Sequence, residues 1–276
     1  MIIKKIKHIV VFSLIFILIC STISLARQRR GYRGISCRSV IFSDSTTGER
    51  LYGKDVSRRV LPASTTKVMT ALLVLENVPL DRYVTVRNSA TFVQPTKLNL
   101  IPGEQYKIAD LLYAAVMNSA NDASIVLAEA VAGTEPRFVA MMNQRARQLG
   151  ALNTQFSNPH GLPSRGRAQY TTAFDMYLIF KEALKYDFFR QAIKFNYKTI
   201  YSKEGRKIVF KSHNNILFKG WNRNVYGKTG YTRTAGACFV GTIQKGNDTL
   251  IIGVFNCPKR WDDIKYIVSR FGHIPL

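Results

Sequence analysis

Three short polar strings constrain this chain more than any other feature: Ser64-Thr65-Thr66-Lys67, Ser119-Ala120-Asn121 and Lys228-Thr229-Gly230. Each alone arises readily by chance, because Ser, Thr, Lys and Gly are common residues. As an ordered set they read as the parts of one acyl-transfer site, namely a nucleophile with its base, a proton relay and a carboxylate anchor. A fold that uses them has to bring three distant stretches of chain to one place.

Ser64 follows Leu61-Pro62-Ala63, at the start of a helix that is nearly apolar on all sides from Lys67 to Glu76. Such a helix is buried. Lys67 lies one turn on from Ser64, on the same face. A serine hydroxyl is a weak nucleophile until a base takes its proton, and an amine is a base only when neutral. Desolvation or a nearby like charge lowers a lysine's proton affinity to that point, and the helix amino terminus favours negative charge developing at Ser64. Serines that merely cap helices are common, but the apolar helix around Lys67 argues against an ordinary surface lysine. Ser119-Ala120-Asn121 falls between two helices, where Ser119 can relay a proton to a leaving amine and the Asn121 amide can hold a substrate carbonyl. By itself it reads first as a helix start at Asn121 or Asp122. Lys228-Thr229-Gly230 lies in a strand whose edge can align a peptide. There Lys228 and Thr229 offer a cation and a hydroxyl to a carboxylate, and Gly230 allows close approach to the backbone. A solvated strand lysine beside a turn is the plain alternative. The three strings together outweigh three separate coincidences.

Residues 1–26 read as a signal peptide: Lys4, Lys5 and Lys7 precede an apolar run from Ile9 to Cys20, and Ser24-Leu25-Ala26 supplies small residues for cleavage. The run is short for a membrane span. An uncleaved anchor is the alternative, and lipidation at Cys20 is disfavoured by the bulky Ile19 before it. The protein is therefore expected outside the cytoplasm, in the periplasm or the cell-wall space, with membrane association left open. Residues 27–36 read as a basic, flexible lead-in. The net charge is +23, of which the leader carries three lysines and no acid. Such a charge points to anionic surroundings, a cell wall or membrane surface, or else to a generally basic surface without one partner. Nucleic acid is not expected, since no zinc-finger or aromatic-basic RNA motif is present.

Cys37, Cys238 and Cys257 remain after the leader, so at most one bridge forms within the chain and one thiol is left over. Export permits the bridge, and sequence does not assign it. No His/Cys/carboxylate cluster has metal-ligand spacing, so neither a metal nor another cofactor is expected.

Strands are read at 37–43, near Leu51, and at 225–232, 236–244 and 249–257, with turns at Ser45-Thr46-Thr47-Gly48 and Lys245-Gly246-Asn247-Asp248. Between them lie helices: Ile108, Leu111, Leu112, Ala115 and Val116 at helical spacing, one from Asn121 to Gly133, and one from Thr134 and Pro136 to Gly150. Thr172 with Asp175 resembles a capping box for the next. A last helix carries Trp261, Ile264, Val268 and Phe271 as one stripe, expected to pack on the sheet rather than lie on a membrane. Strands, then helices, then strands imply an α+β fold. One five-stranded antiparallel sheet is flanked by helices, with a mostly helical subdomain over roughly residues 77–200 of a catalytic domain at 37–276.

With its contexts SVIFSDSTTGERLY, LPASTTKVMTALL, IADLLYAAVMNSANDASIVLAEAVAG, NTQFSNPHGLP and KTGYTRTAGACFVGT, the chain resembles the serine-type D-alanyl-D-alanine carboxypeptidases. These are the low-molecular-mass penicillin-binding proteins, with a β-lactamase/transpeptidase-like fold. The resemblance covers about residues 37–260. It implies that Ser64 forms the acyl-enzyme, Lys67 is the base, Ser119 passes protons, and Lys228 and Thr229 bind the substrate's terminal carboxylate. It also implies an oxyanion hole made by the backbone N–H groups of Ser64 and Tyr231. Peptidoglycan stem peptides would be the substrates and β-lactams the covalent inhibitors. If the first and last strands pair antiparallel as in the family, Cys37 and Cys257 become neighbours that a disulfide can join. Larger members carry a β-rich second domain and a C-terminal amphipathic anchor; this chain stops soon after the catalytic sheet and resembles the shorter members, some of which are D,D-endopeptidases. Gln169 stands before Tyr170-Thr171-Thr172-Ala173 where relatives often show a histidine. A class A β-lactamase needs a glutamate in an E-x-x-L-N string, and here Leu149 occupies that place before Leu152-Asn153. A non-catalytic muropeptide or β-lactam sensor would be marked by degraded motifs, and all three are intact.

Overall fold

The computed structural model describes residues 34–164, 166, 168–221 and 225–276. The leader, with its cleavage site and Cys20, and the lead-in up to residue 33 lie outside the described residues. Ser36–Leu276 form one compact unit.

The five-stranded sheet has the order β2-β1-β9-β8-β7, antiparallel throughout. Its strands are β1 (Ser39–Asp44), β2 (Arg50–Lys54), β7 (Tyr226–Thr232), β8 (Gly236–Lys245) and β9 (Asp248–Phe255). The N-terminal strands thus join the C-terminal ones. β1 is buried on both faces because both faces of the sheet are covered. Ile41 and its partner Gly253 face α5 (Ala173–Ala183), whose Ala173 carbonyl lies over Gly253. Phe42 points the other way, against Gly272 at the end of α7 (Arg260–Gly272). Ile264 and Val268 of α7 are fully buried, Trp261 meets Phe239, and Phe271 stacks on Tyr52. The stripe of the last helix is therefore spent on the sheet.

The helical part is built round α1 (Lys67–Asn77), whose residues from Lys67 to Val74 are all buried. α2 (Ile108–Tyr113) runs into a π turn, Ala114–Asn118, which ends at Ser119 in the left-handed region (φ 65°). π turns of this sort are frequent at functional sites. α3 (Asn121–Ala132), α4 (Glu135–Gln148) and α6 (Asp187–Ala192) complete it. Thr134 caps α4 by accepting the Arg137 N–H. Thr172 caps α5 in the same way from Asp175, but the Asp175 carboxylate does not return to the cap; it accepts from Asn153 N–H and Thr154 Oγ1 instead. Only half of the expected capping box forms. Two hairpins interrupt the helical stretch: β3 (Tyr83–Thr85) with β4 (Gln105–Lys107), and β5 (Tyr197–Tyr201) with β6 (Lys207–Lys211).

Cys37 and Cys257, just outside β1 and β9, are joined in a disulfide with a Cα–Cα separation of 3.8 Å, and Cys238 is a buried free thiol. The Asp263 carboxylate lies against the bridge, so two sulfurs and a carboxylate fall within 4.8 Å of one another. Spacing in sequence did not announce this cluster. The sulfurs are committed to each other. No helix among the described residues is long and apolar enough to cross a membrane.

Candidate active site

Ser64 sits in a tight 3-10 turn, Ala63–Thr66, that leads directly into α1. Thr65 fixes the turn by donating both its N–H (3.2 Å) and its hydroxyl (2.7 Å) to the Pro62 carbonyl. Ala63 takes a positive φ of 47°, which side-chain-bearing residues avoid. Two glycines hem the turn in. A Cβ at Gly161 (φ +87°) would lie 1.9 Å from the Ala63 carbonyl oxygen, and one at Gly230 would lie 3.0 Å from the Ser64 nitrogen. Gly230 thus lets β7 close on the Ser64 turn; the space above it is filled by the Ser64 nitrogen, the Ala63 Cβ and the Pro62 carbonyl. This close approach sets the Ser64 N–H beside the strand segment that carries Tyr231.

Lys67 is fully buried, and its Nζ donates to Asn121 Oδ1 (2.7 Å), the His160 carbonyl (2.8 Å) and Ser64 Oγ (3.2 Å). Burial, and then the charge of Lys228, hold its pKa well below that of a free lysine, against a smaller opposing pull from Asp122. A neutral amine has two N–H donors and one lone pair. The carbonyls of Asn121 and His160 take the donors, which leaves the lone pair for the Ser64 hydroxyl. Once protonated, the ammonium finds three acceptors already in place.

Asn121 is held in that orientation from behind. Its side-chain NH2 donates to the Gln94 carbonyl and its backbone N–H to the Thr96 carbonyl, both at 2.8 Å. The buried Asp122 carboxylate accepts from Leu98 N–H (3.1 Å) and Leu100 N–H (3.2 Å), so the loop forming this wall is tied to the start of α3. Opposite, Asn158 Oδ1 accepts the N–H groups of His160 (3.2 Å) and Gly161 (2.6 Å), which aims the His160 carbonyl at Lys67. The imidazole of His160 is pushed down to about 3, by burial first and the charge of Lys67 second. It is a neutral structural group. Gln169 braces the same segment, its Oε1 accepting from Ser157 N–H (3.4 Å) and Ser157 Oγ (3.1 Å).

Lys228 is 1% exposed, and its Nζ donates to the Thr229 carbonyl at 3.0 Å. Its pKa is brought down to about 7, by burial first and then by the charge of Arg260. Arg260, at the start of α7, donates to the Gly230 carbonyl (3.3 Å) and the Cys238 carbonyl (2.9 Å). Thr229 is buried, and the hydroxyls of Thr229 and Ser119 make no hydrogen bond among the described residues. The structure therefore brings Ser64, Lys67, Asn121 and the backbone of Gly230 together directly. Lys228 acts on Lys67 through its charge, and Ser119 stands two residues before Asn121 at the end of the π turn.

Sequence reading missed His160, whose contribution is a backbone carbonyl that no residue type encodes. Arg260 was also missed; its signal would have been a cation at the start of the last helix, and in the structure it is half-buried beside the Lys228 strand.

A family model described as D-alanyl-D-alanine carboxypeptidase, peptidase S11, matches residues 26–259. The chain is 34% identical over 225 residues to D-alanyl-D-alanine carboxypeptidase DacF of Bacillus subtilis, covering 79% of this chain and 57% of that one. It is 31% identical to a D-alanyl-D-alanine endopeptidase of Pseudomonas aeruginosa, covering 78% and 70%. The chain thus spans little more than half the length of the Bacillus relative. Among solved structures, a D-alanyl-D-alanine carboxypeptidase from Mycobacterium tuberculosis superimposes with a TM-score of 0.80 at 28% identity, over 88% of this chain and 94% of that one. The Streptomyces K15 DD-transpeptidase gives 0.79 at 28%, over 87% and 98%. With the Ser64 turn, the buried Lys67 and the β7 edge carried on the fold of these enzymes, the chain belongs to the peptidase S11 family of D-alanyl-D-alanine carboxypeptidases.

Proposed function

We propose that the protein removes the terminal D-alanine from peptidoglycan stem pentapeptides through an acyl-enzyme on Ser64. The observation that carries this is Lys67 Nζ, fully buried and 3.2 Å from Ser64 Oγ, with its two N–H donors already occupied. Lys67 accepts the Ser64 proton as Oγ attacks the penultimate D-alanine carbonyl. The N–H groups of Ser64 and Tyr231 receive the developing oxyanion. Ser119 passes a proton to the departing D-alanine amine, and water then hydrolyses the ester to regenerate Ser64. Asn121 has a supporting part as well as any contact with substrate, because its carbonyl oxygen is already on Lys67. Lys228 and Thr229 hold the free carboxylate. β-Lactams would acylate the same serine. The site of action is extracytoplasmic, where such peptides are found.

A D,D-endopeptidase using the same residues on cross-linked stems is the second reading, favoured by the relative of that name. Incubation with a stem pentapeptide and a cross-linked dimer, followed by mass analysis, separates the two. We expect the pentapeptide to lose one alanine and the dimer to persist, with both inert to Ser64→Ala. Faster scission of the dimer would overturn the carboxypeptidase assignment.

A further inference from the structure

A cavity of about 350 Å³ lies away from the nucleophile, between the sheet and the α5–α6 segment. Four cations line it: Lys181, Lys185, Arg190 and Lys194. No carboxylate does so among the described residues. Arg190 pairs with exposed Asp187, a surface contact of small worth, and Lys185 pairs with the partly buried Glu182, which Arg145 also holds. Lys181 and Lys194 form no salt bridge among the described residues; Lys194 lies 5.5 Å from the Tyr226 ring centroid. The walls between the cations are apolar, made by Leu184, Ile193 and Ile243. From the sheet side the cavity is lined by Thr242, 5% exposed, whose buried hydroxyl has no hydrogen-bond partner. A buried hydroxyl left unpaired is costly, and turning the Thr242 side chain toward an incoming oxyanion would relieve it.

We infer that this cavity binds an anionic phospholipid, its phosphate among the four cations and Thr242 and the first carbons of its chain against Leu184, Ile193 and Ile243. The mixture of charge and apolar wall selects an amphiphile over a bare polyanion. The volume falls within the range of small-ligand sites. A chain of net charge +23 is drawn to an anionic membrane surface in any case; the cavity adds a defined seat to that general attraction. Thr242 pairs with Tyr226, two residues before Lys228 on β7, so an occupied site would abut the catalytic strand.

The test is calorimetric titration of the protein with dihexanoylphosphatidylglycerol below its micelle concentration. Glycerol 3-phosphate and dihexanoylphosphatidylcholine serve as the headgroup-only and uncharged controls. We expect one saturable site per chain, with both controls at least about tenfold weaker. Thr242→Val, which leaves the charge unchanged, should weaken binding about tenfold. Lys181→Ala/Lys194→Ala should do the same, while Lys207→Ala on exposed β6 should bind as wild type. Penicillin acylation of Ser64 should be unchanged in all of them, which keeps this inference separate from the catalytic one. If Thr242→Val fails to fold, the double lysine variant decides. Absence of saturation, equal binding of glycerol 3-phosphate, or equal weakening by Lys207→Ala would overturn it: the first leaves no site, the second a bare phosphate site, the third only diffuse charge.

Discussion

Replacing the substrate's terminal carboxylate by its amide is the most telling perturbation of the anchor. Lys228 is 1% exposed and its Nζ is bonded, among the described residues, to the Thr229 carbonyl, so a substrate carboxylate would be its counter-ion. Hydrogen bonds to charged groups contribute about 1.5–3 kcal/mol, and each tenfold in rate is about 1.4 kcal/mol. The amide should therefore lower wild-type kcat/KM about 10- to 150-fold. Thr229→Val removes one of the two partners, worth about 1 kcal/mol, so the amide penalty should shrink roughly fivefold in that variant. The pH profile adds a second readout. The carboxylate needs protonated Lys228, whose pKa of about 7 makes kcat/KM fall as pH rises above it. Lys67 must be neutral, so activity rises with pH through its lowered pKa. The two limbs make a bell, and the amide substrate should lose the alkaline one. Mass-spectrometric quantification of released D-alanine or D-alaninamide measures both effects. Equal amide penalties in wild type and Thr229→Val, or an alkaline limb that survives with the amide, would refute the anchor.

Three further outcomes follow from the packing. Asn121→Leu removes an acceptor that orients Lys67 and should lower acylation by penicillin about 100-fold, measured by stopped-flow labelling, and should also lower Tm, because buried Lys67 and the Gln94 carbonyl each lose a partner. Gly161→Ala places a Cβ on the Ala63 carbonyl and should lower both Tm and kcat, the latter by about 100-fold if the nucleophile turn shifts by about 1 Å. Cys37→Ser opens a bridge between residues 220 apart and should cost about 2–5 kcal/mol in denaturant unfolding.

β1, β8 and β9 were legible as largely apolar runs bounded by turn residues, β2 (RLYGK) and β7 (YGKTGYT) from the turns that flank them, and the last helix because its stripe is regular. The β3–β4 and β5–β6 hairpins were not. Their strands are three to five residues long, too short for alternation to stand out. At the site, Ser64, Lys67 and Asn121 were legible as side chains in motifs. The His160 carbonyl and the Gln94–Thr96 wall act through backbone groups, and Arg260 reaches the site only because α7 folds back on β8. Gly230 was read for its openness to substrate, whereas its neighbour is the Ser64 backbone. Gln169 had no reading until the structure showed it bracing Ser157, on the segment that carries His160.

The central claim is that Ser64 becomes acylated with Lys67 as its base. Incubation with a penicillin, followed by intact-mass measurement and peptide mapping, tests it directly. One adduct per chain is expected, on the tryptic peptide holding Ser64, absent from Ser64→Ala and formed far more slowly by Lys67→Met. An adduct on any other residue, or undiminished labelling of Ser64→Ala, would contradict the account.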